Sequence, residues 1–153
     1  MKIAQTIAAL IIFYSASLFS QSAENNKEVQ GLQSGAQAPL FTAMDVRDEL
    51  FSLEEALRDG PVVLIFYRGH WCPVCNKHLG LVQDSLKLIT EKGATVVAVS
   101  PEKPEYLEVT KKKTGASFRL VHDEGYRISD IYDVTFSPEK RQLIVYNTVL
   151  NAN

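Results

Sequence analysis

Short runs of consecutive apolar residues alternate along this chain with segments whose apolar residues recur every three or four positions. The runs cover residues 62–67 and 94–100, each with the length and composition of a buried strand, and Phe118-Arg119-Leu120-Val121-His122 reads as a third strand. Between the first two, Leu79, Val82, Leu86 and Ile89 recur at helical spacing, a core-facing stripe that ends at Lys92-Gly93. Ser52-Leu53-Glu54-Glu55 has the form of a capping box, so a short helix is predicted to run to Arg58 and stop at Asp59-Gly60-Pro61. A polar helix is predicted from Pro104 to Lys113, ending at Thr114-Gly115. Ile128, Ile131 and Val134 predict a short helix after the turn Asp123-Glu124-Gly125. Ser137-Pro138-Glu139 opens one more, carrying Leu143, Ile144, Tyr146, Asn147 and Leu150. Strand, helix, strand over residues 62–100 is a βαβ unit with parallel strands and a right-handed connection.

The first residues differ in kind. Lys2 precedes an almost uncharged apolar segment, residues 7–19, followed by Ser20-Gln21-Ser22-Ala23. That order is the n-region, h-region and cleavage pattern of a secretory signal. Its apolar core is shorter than the roughly 20 residues a membrane span needs. The chain therefore reads as a signal peptide over residues 1–22, a flexible leader over 23–36 and one domain over 37–153, with no membrane association after cleavage. Export to the periplasm or cell exterior would place its cysteines where a disulfide persists. The formal net charge of −2 carries no basic stripe, so nucleic acid is not an expected partner. Lys111-Lys112-Lys113 reads as a solvated helix end.

Chemistry concentrates at the only two cysteines, Cys72 and Cys75, in Phe66-Tyr67-Arg68-Gly69-His70-Trp71-Cys72-Pro73-Val74-Cys75. They follow a predicted strand and begin a predicted helix, with Pro73 suited to the first helical turn. Unpaired amides and partial positive charge at a helix N-terminus favour thiolate over thiol. The spacing lets the two sulfurs bond without moving the fold, so the default reading is a redox centre. Arg68 and His70 are the nearby groups that could add positive charge, and Trp71 adjoins the pair. A zinc site using His70 or His78 would lack a second pair of ligands, because no other cysteine exists. Asn76 stands where haem attachment needs histidine. A purely structural bridge would close a tiny loop and add little stability. No metal and no cofactor is expected.

The stretch from Phe66 to Cys75 resembles the thioredoxin superfamily, and more closely its AhpC/TSA peroxiredoxin-like branch. Ala38-Pro39-Leu40-Phe41 is similar to the opening Ala-Pro-x-Phe of peroxiredoxins, and Gly60 to Gly69 to their first core strand. Phe118 to Asp123, followed by Tyr132-Asp133-Val134, is similar to a later passage of that family. The resemblance implies an α/β thioredoxin-like fold, a central mixed sheet flanked by helices. Two registers compete within the motif. Thioredoxins attack with the first cysteine, here Cys72; counting from Phe66 to the peroxidatic position of peroxiredoxins arrives at Cys75, with Cys72 at their Thr or Ser position. Arg68 occupies the peroxiredoxin proline position, and Ile65 that of the buried thioredoxin aspartate. The chain stops where relatives would continue with a cis-proline loop, two strands and a helix, so it is expected to lack the last strands of the sheet.

The resemblance implies a thiol peroxidase acting on hydrogen peroxide or organic hydroperoxides. In this reading Cys75 attacks, Cys72 resolves to form the redox-active Cys72–Cys75 disulfide, and a thioredoxin-like dithiol donor restores both thiols. Arg68, His70 and Trp71 are possible supporting residues. The alternative is thiol–disulfide exchange on exported proteins, with Cys72 attacking, Cys75 resolving and Trp71 helping to form the docking surface. A non-enzymatic zinc-binding module is the remote third reading. The sequence does not specify an oligomeric state.

Overall fold

A computed structural model describes residues 29–152. The signal-peptide reading, residues 1–22, and the leader up to residue 28 lie outside the described residues. The polypeptide first forms a hairpin, β1 (Thr42–Met44) and β2 (Leu50–Ser52), paired antiparallel. Helix α1 (Leu53–Asp59) follows directly, with the Ser52 hydroxyl accepting the Glu55 amide as an N-cap. Strand β3 (Val62–Phe66) leads into α2 (Pro73–Asp84), and α3 (Leu86–Thr90) follows after a break at Ser85. Then come β4 (Thr95–Ser100), α4 (Pro104–Thr114) and β5 (Arg119–His122). A single 3₁₀ turn over Glu124–Tyr126 precedes α5 (Arg127–Ile131), and α6 (Lys140–Thr148) is the last helix of the described residues.

Strands β3, β4 and β5 form a parallel sheet in that order, with Val63 opposite Val96 and Ala98 opposite Leu120. Antiparallel contact with this sheet comes from the hairpin, through an Asp45–Val121 bridge. Successive side chains of a strand point to opposite faces, and β4, buried on both, divides the core accordingly. Val97 and Val99 join Phe41, Phe51, Val121, Ile128 and Tyr132 on one side; Val96 and Ala98 join Tyr67, Leu79, Leu107 and Leu120 on the other. The helical stripe behind the cysteines behaves as its spacing predicts, with Leu79 fully buried and Val82, Leu86 and Ile89 packed against the second cluster.

Helix α4 stops where glycine allows it. Gly115 takes a left-handed conformation at φ 69° and its amide bonds the Lys111 carbonyl. The predicted short helix is shorter than expected: Ile128 and Ile131 lie in α5, but Val134 lies beyond it and still packs on the first cluster.

Candidate active site

The site sits at the C-terminal end of β3, the end from which parallel α/β sheets present functional loops. Cys72 is the N-cap of α2 in an extended conformation, and Pro73 opens the helix. The Cys72 sulfur accepts the Cys75 amide at 3.2 Å, so one unpaired helix donor is spent on sulfur. Cys72 and Cys75 form a disulfide, their Cα atoms 5.3 Å apart. The two sulfurs are not equivalent. Cys72 is 1% exposed, whereas Cys75 is only half-buried.

Arg68 supplies the second donor to Cys72. Its Nη2 lies 3.2 Å from the Cys72 sulfur, and its Nη1 donates to the Tyr146 hydroxyl at 2.6 Å. The guanidinium also sits 5.6 Å from the centre of the Trp71 ring and 5.3 Å from that of Tyr146, distances that allow cation–π attraction. Those two rings touch at a centroid separation of 5.0 Å. Helix α6 thus reaches Arg68, and through it the cysteine pair, by way of Tyr146, 78 residues from Arg68 along the chain. A cavity of about 300 Å³ lies beside this contact, lined by Phe66, Arg68, Trp71, Tyr126, Phe136 and Tyr146 among others.

His70 is engaged elsewhere. Its ring Nδ1 is 3.1 Å from Glu102 Oε2 and stacks on Tyr106 at 4.3 Å. Its amide donates to the same Glu102 oxygen at 2.6 Å, and its carbonyl accepts from Asn76 Nδ2 and Lys113 Nζ. The other Glu102 oxygen accepts from the Tyr67 and Thr110 hydroxyls, each at 2.8 Å. Burial of Tyr67, with the Glu102 charge beside it, pushes its phenol above the ordinary tyrosine range, so the hydroxyl stays a donor.

Of the residues singled out in the sequence, Arg68 and Trp71 therefore gather around Cys72, while His70 is tied to Glu102 and Tyr106. Two site residues were not anticipated. Glu102 had a faint signal, an acidic residue directly after a buried strand in Ser100-Pro101-Glu102. Tyr146 had none, because only the docking of α6 brings it near. Among the described residues there is no group of three or more His, Cys, Asp or Glu side chains arranged to hold a metal ion.

Residues 34–150 match the family model described as the AhpC/TSA family. Peroxiredoxin Q, chloroplastic, from Populus jackii is 32% identical over 114 residues, which are 74% of this chain and 53% of that protein. The chain spans about half the length of this relative. The crystal structure of peroxidoxin BcpB from Mycobacterium tuberculosis superposes with a TM-score of 0.63 at 24% identity, covering 66% of each chain. A secreted Mycobacterium tuberculosis disulfide oxidoreductase, homologous to E. coli DsbE, superposes with a TM-score of 0.55 at 22% identity, covering 64% of this chain and 71% of that one. Both structures share the thioredoxin-like fold. With that family model matched over residues 34–150, which include the strand β3 and the cysteine pair, this chain belongs to the AhpC/TSA family.

Proposed function

We propose that the protein is an exported thiol-dependent peroxidase in which Cys75 meets the oxidant and Cys72 resolves. The observation that carries this reading is the asymmetry of the pair. Cys75 is the partly buried residue of the two, and Cys72 is the fully buried one, whose sulfur receives N–H donors from Arg68 and from the Cys75 amide. Donors aimed at sulfur favour its anionic form. The Cys75 thiolate attacks a peroxide oxygen; the O–O bond breaks, Cys75 becomes a sulfenic acid and an alkoxide or hydroxide leaves to take up a proton. The Cys72 thiolate then attacks the Cys75 sulfur, the S–O bond breaks, and hydroxide leaves as water. A dithiol donor of the thioredoxin type reverses the oxidation: its thiolate attacks Cys75, and Cys72 departs as the stabilised thiolate. The donor's second thiol releases it as a disulfide.

Support for export comes from the pattern of residues 1–22. The family resemblance supplies both substrate classes, hydrogen peroxide and organic hydroperoxides. A second reading, disulfide exchange on exported proteins, is favoured by Val74, which is 72% exposed between the cysteines, an apolar surface on which a polypeptide could rest. Mass spectrometry after trapping with a sulfenic-acid reagent separates the two. Under the peroxidase reading, reduced Cys72→Ser protein treated with stoichiometric peroxide carries the trapped adduct on Cys75. No adduct on Cys75, together with mixed disulfides to added unfolded substrate through Cys72 in a Cys75→Ser protein, would favour exchange.

A further inference from the structure

Glu102 is an expensive residue to place where it lies. Its side chain is 4% exposed, and a carboxylate removed from water must recover its hydration from fixed donors. It recovers them from four groups, and three belong to the loop that leads into the cysteines: the Tyr67 hydroxyl, the His70 amide and the His70 ring. The fourth is Thr110 on α4. Residues 67 and 70 flank Arg68 and Gly69, so one carboxylate holds both ends of the segment that carries the arginine. The segment passes so close that Gly69 has no room for a side chain. Its φ is 151°, and a Cβ there would lie 2.8 Å from the Trp71 ring nitrogen and 3.2 Å from Glu102 Oε2. Asn76 and Lys113 hold the same loop through the His70 carbonyl.

We propose that Glu102 is a positioning residue of the redox centre, clamping the loop at Tyr67 and His70 so that the Arg68 guanidinium is held against the Cys72 sulfur. The proposal deepens the redox reading above and rests on it only for the importance of the Cys72 thiolate. The charged and titratable groups around the unit are Arg68 and Cys75 at the sulfur, Tyr146 behind Arg68, Tyr67, His70 and Lys113 around Glu102 and its loop, Tyr106 stacked on His70, and His122, whose Nδ1 lies 2.8 Å from the Glu102 carbonyl oxygen.

The sign of the effect separates positioning from simple electrostatics. Removing a nearby negative charge would by itself ease ionisation of Cys72 and lower its titration midpoint. Releasing Arg68 from the sulfur does the opposite. The experiment follows the ultraviolet absorbance of the Cys72 thiolate against pH in Cys75→Ser protein, with Glu102→Gln and Arg68→Ala added singly and together. No peroxide is involved, so failure of the peroxidase reading leaves the result intact. The proposal expects Glu102→Gln to raise the midpoint by about one unit, a tenfold loss of thiolate below the midpoint. It expects Arg68→Ala to raise it too, and Glu102→Gln to add nothing once Arg68 is gone. A midpoint that is unchanged or lowered in Glu102→Gln, or raised equally with and without Arg68, overturns it. Should Glu102→Gln unfold, Tyr67→Phe deletes one of the clamp's contacts; a smaller rise supports the proposal, and an unmoved midpoint overturns it.

Discussion

Arg68 does three jobs with one planar group: it donates to sulfur, donates to the Tyr146 hydroxyl and lies against two aromatic rings. Lysine would offer a point charge without the fork or the flat face. Arg68→Lys is therefore expected to recover only part of what Arg68→Ala loses. The loss should show in the reduction of the disulfide by a small dithiol, because in the proposed mechanism Cys72 is the leaving group and a less stabilised thiolate leaves more slowly. A severalfold slower reduction in Arg68→Ala is the expected outcome; an unchanged rate would mean the contact does not act on sulfur. At this scale the cysteine pair and Arg68 were legible because the motif is local. Glu102 and Tyr146 were not, since each reaches the site only through tertiary packing, one from the end of β4 and one from α6.

Helix α2 is the element that makes the site, and its hold on the sheet is concentrated in Leu79, which has no exposed surface. Leu79→Ala is expected to cost about 2–5 kcal/mol in denaturant unfolding. Leu81→Ala, on a side chain 56% exposed, serves as its contrast and should cost less than about 0.5 kcal/mol. Similar losses in both would contradict the assigned face. The helical faces and the three parallel strands could be read from the sequence because long periodic segments and apolar runs report burial directly. The hairpin could not. Its strands have three residues each, with burial alternating only at Ala43 and Phe51, too short for a period to show. What fixes it is a turn built on Asp45, whose Oδ1 accepts the Arg47 and Glu49 amides.

Across the whole molecule the same Asp45 joins the hairpin to the central sheet. Its carboxylate accepts from Arg47 and from Arg119 on β5, while the Val46 amide bonds the Leu120 carbonyl. Burial raises the Asp45 pKa, but the hydrogen bonds from Arg47, Glu49 and Arg119 outweigh it and hold the group below its ordinary value of 3.8. A carboxyl depressed on folding stabilises the native state at every pH above its unfolded value, and that contribution fades as pH falls through the folded value. Asp45→Asn should therefore lower the thermal midpoint at neutral pH, by an amount that shrinks below about pH 4. A penalty that stays constant into acid would show that Asp45 stabilises by hydrogen-bond geometry and not by charge.

The central claim is that the folded Cys72–Cys75 centre reacts with peroxide, and the most direct test is kinetic. Trp71 is the only tryptophan, adjoins the pair and contacts Arg68, so its fluorescence should report disulfide formation. Reduced protein mixed with hydrogen peroxide in a stopped-flow instrument should oxidise orders of magnitude faster than the same chain unfolded in denaturant, and Cys75→Ser should abolish the signal. Folded thiols that react no faster than unfolded ones would contradict the peroxidase reading.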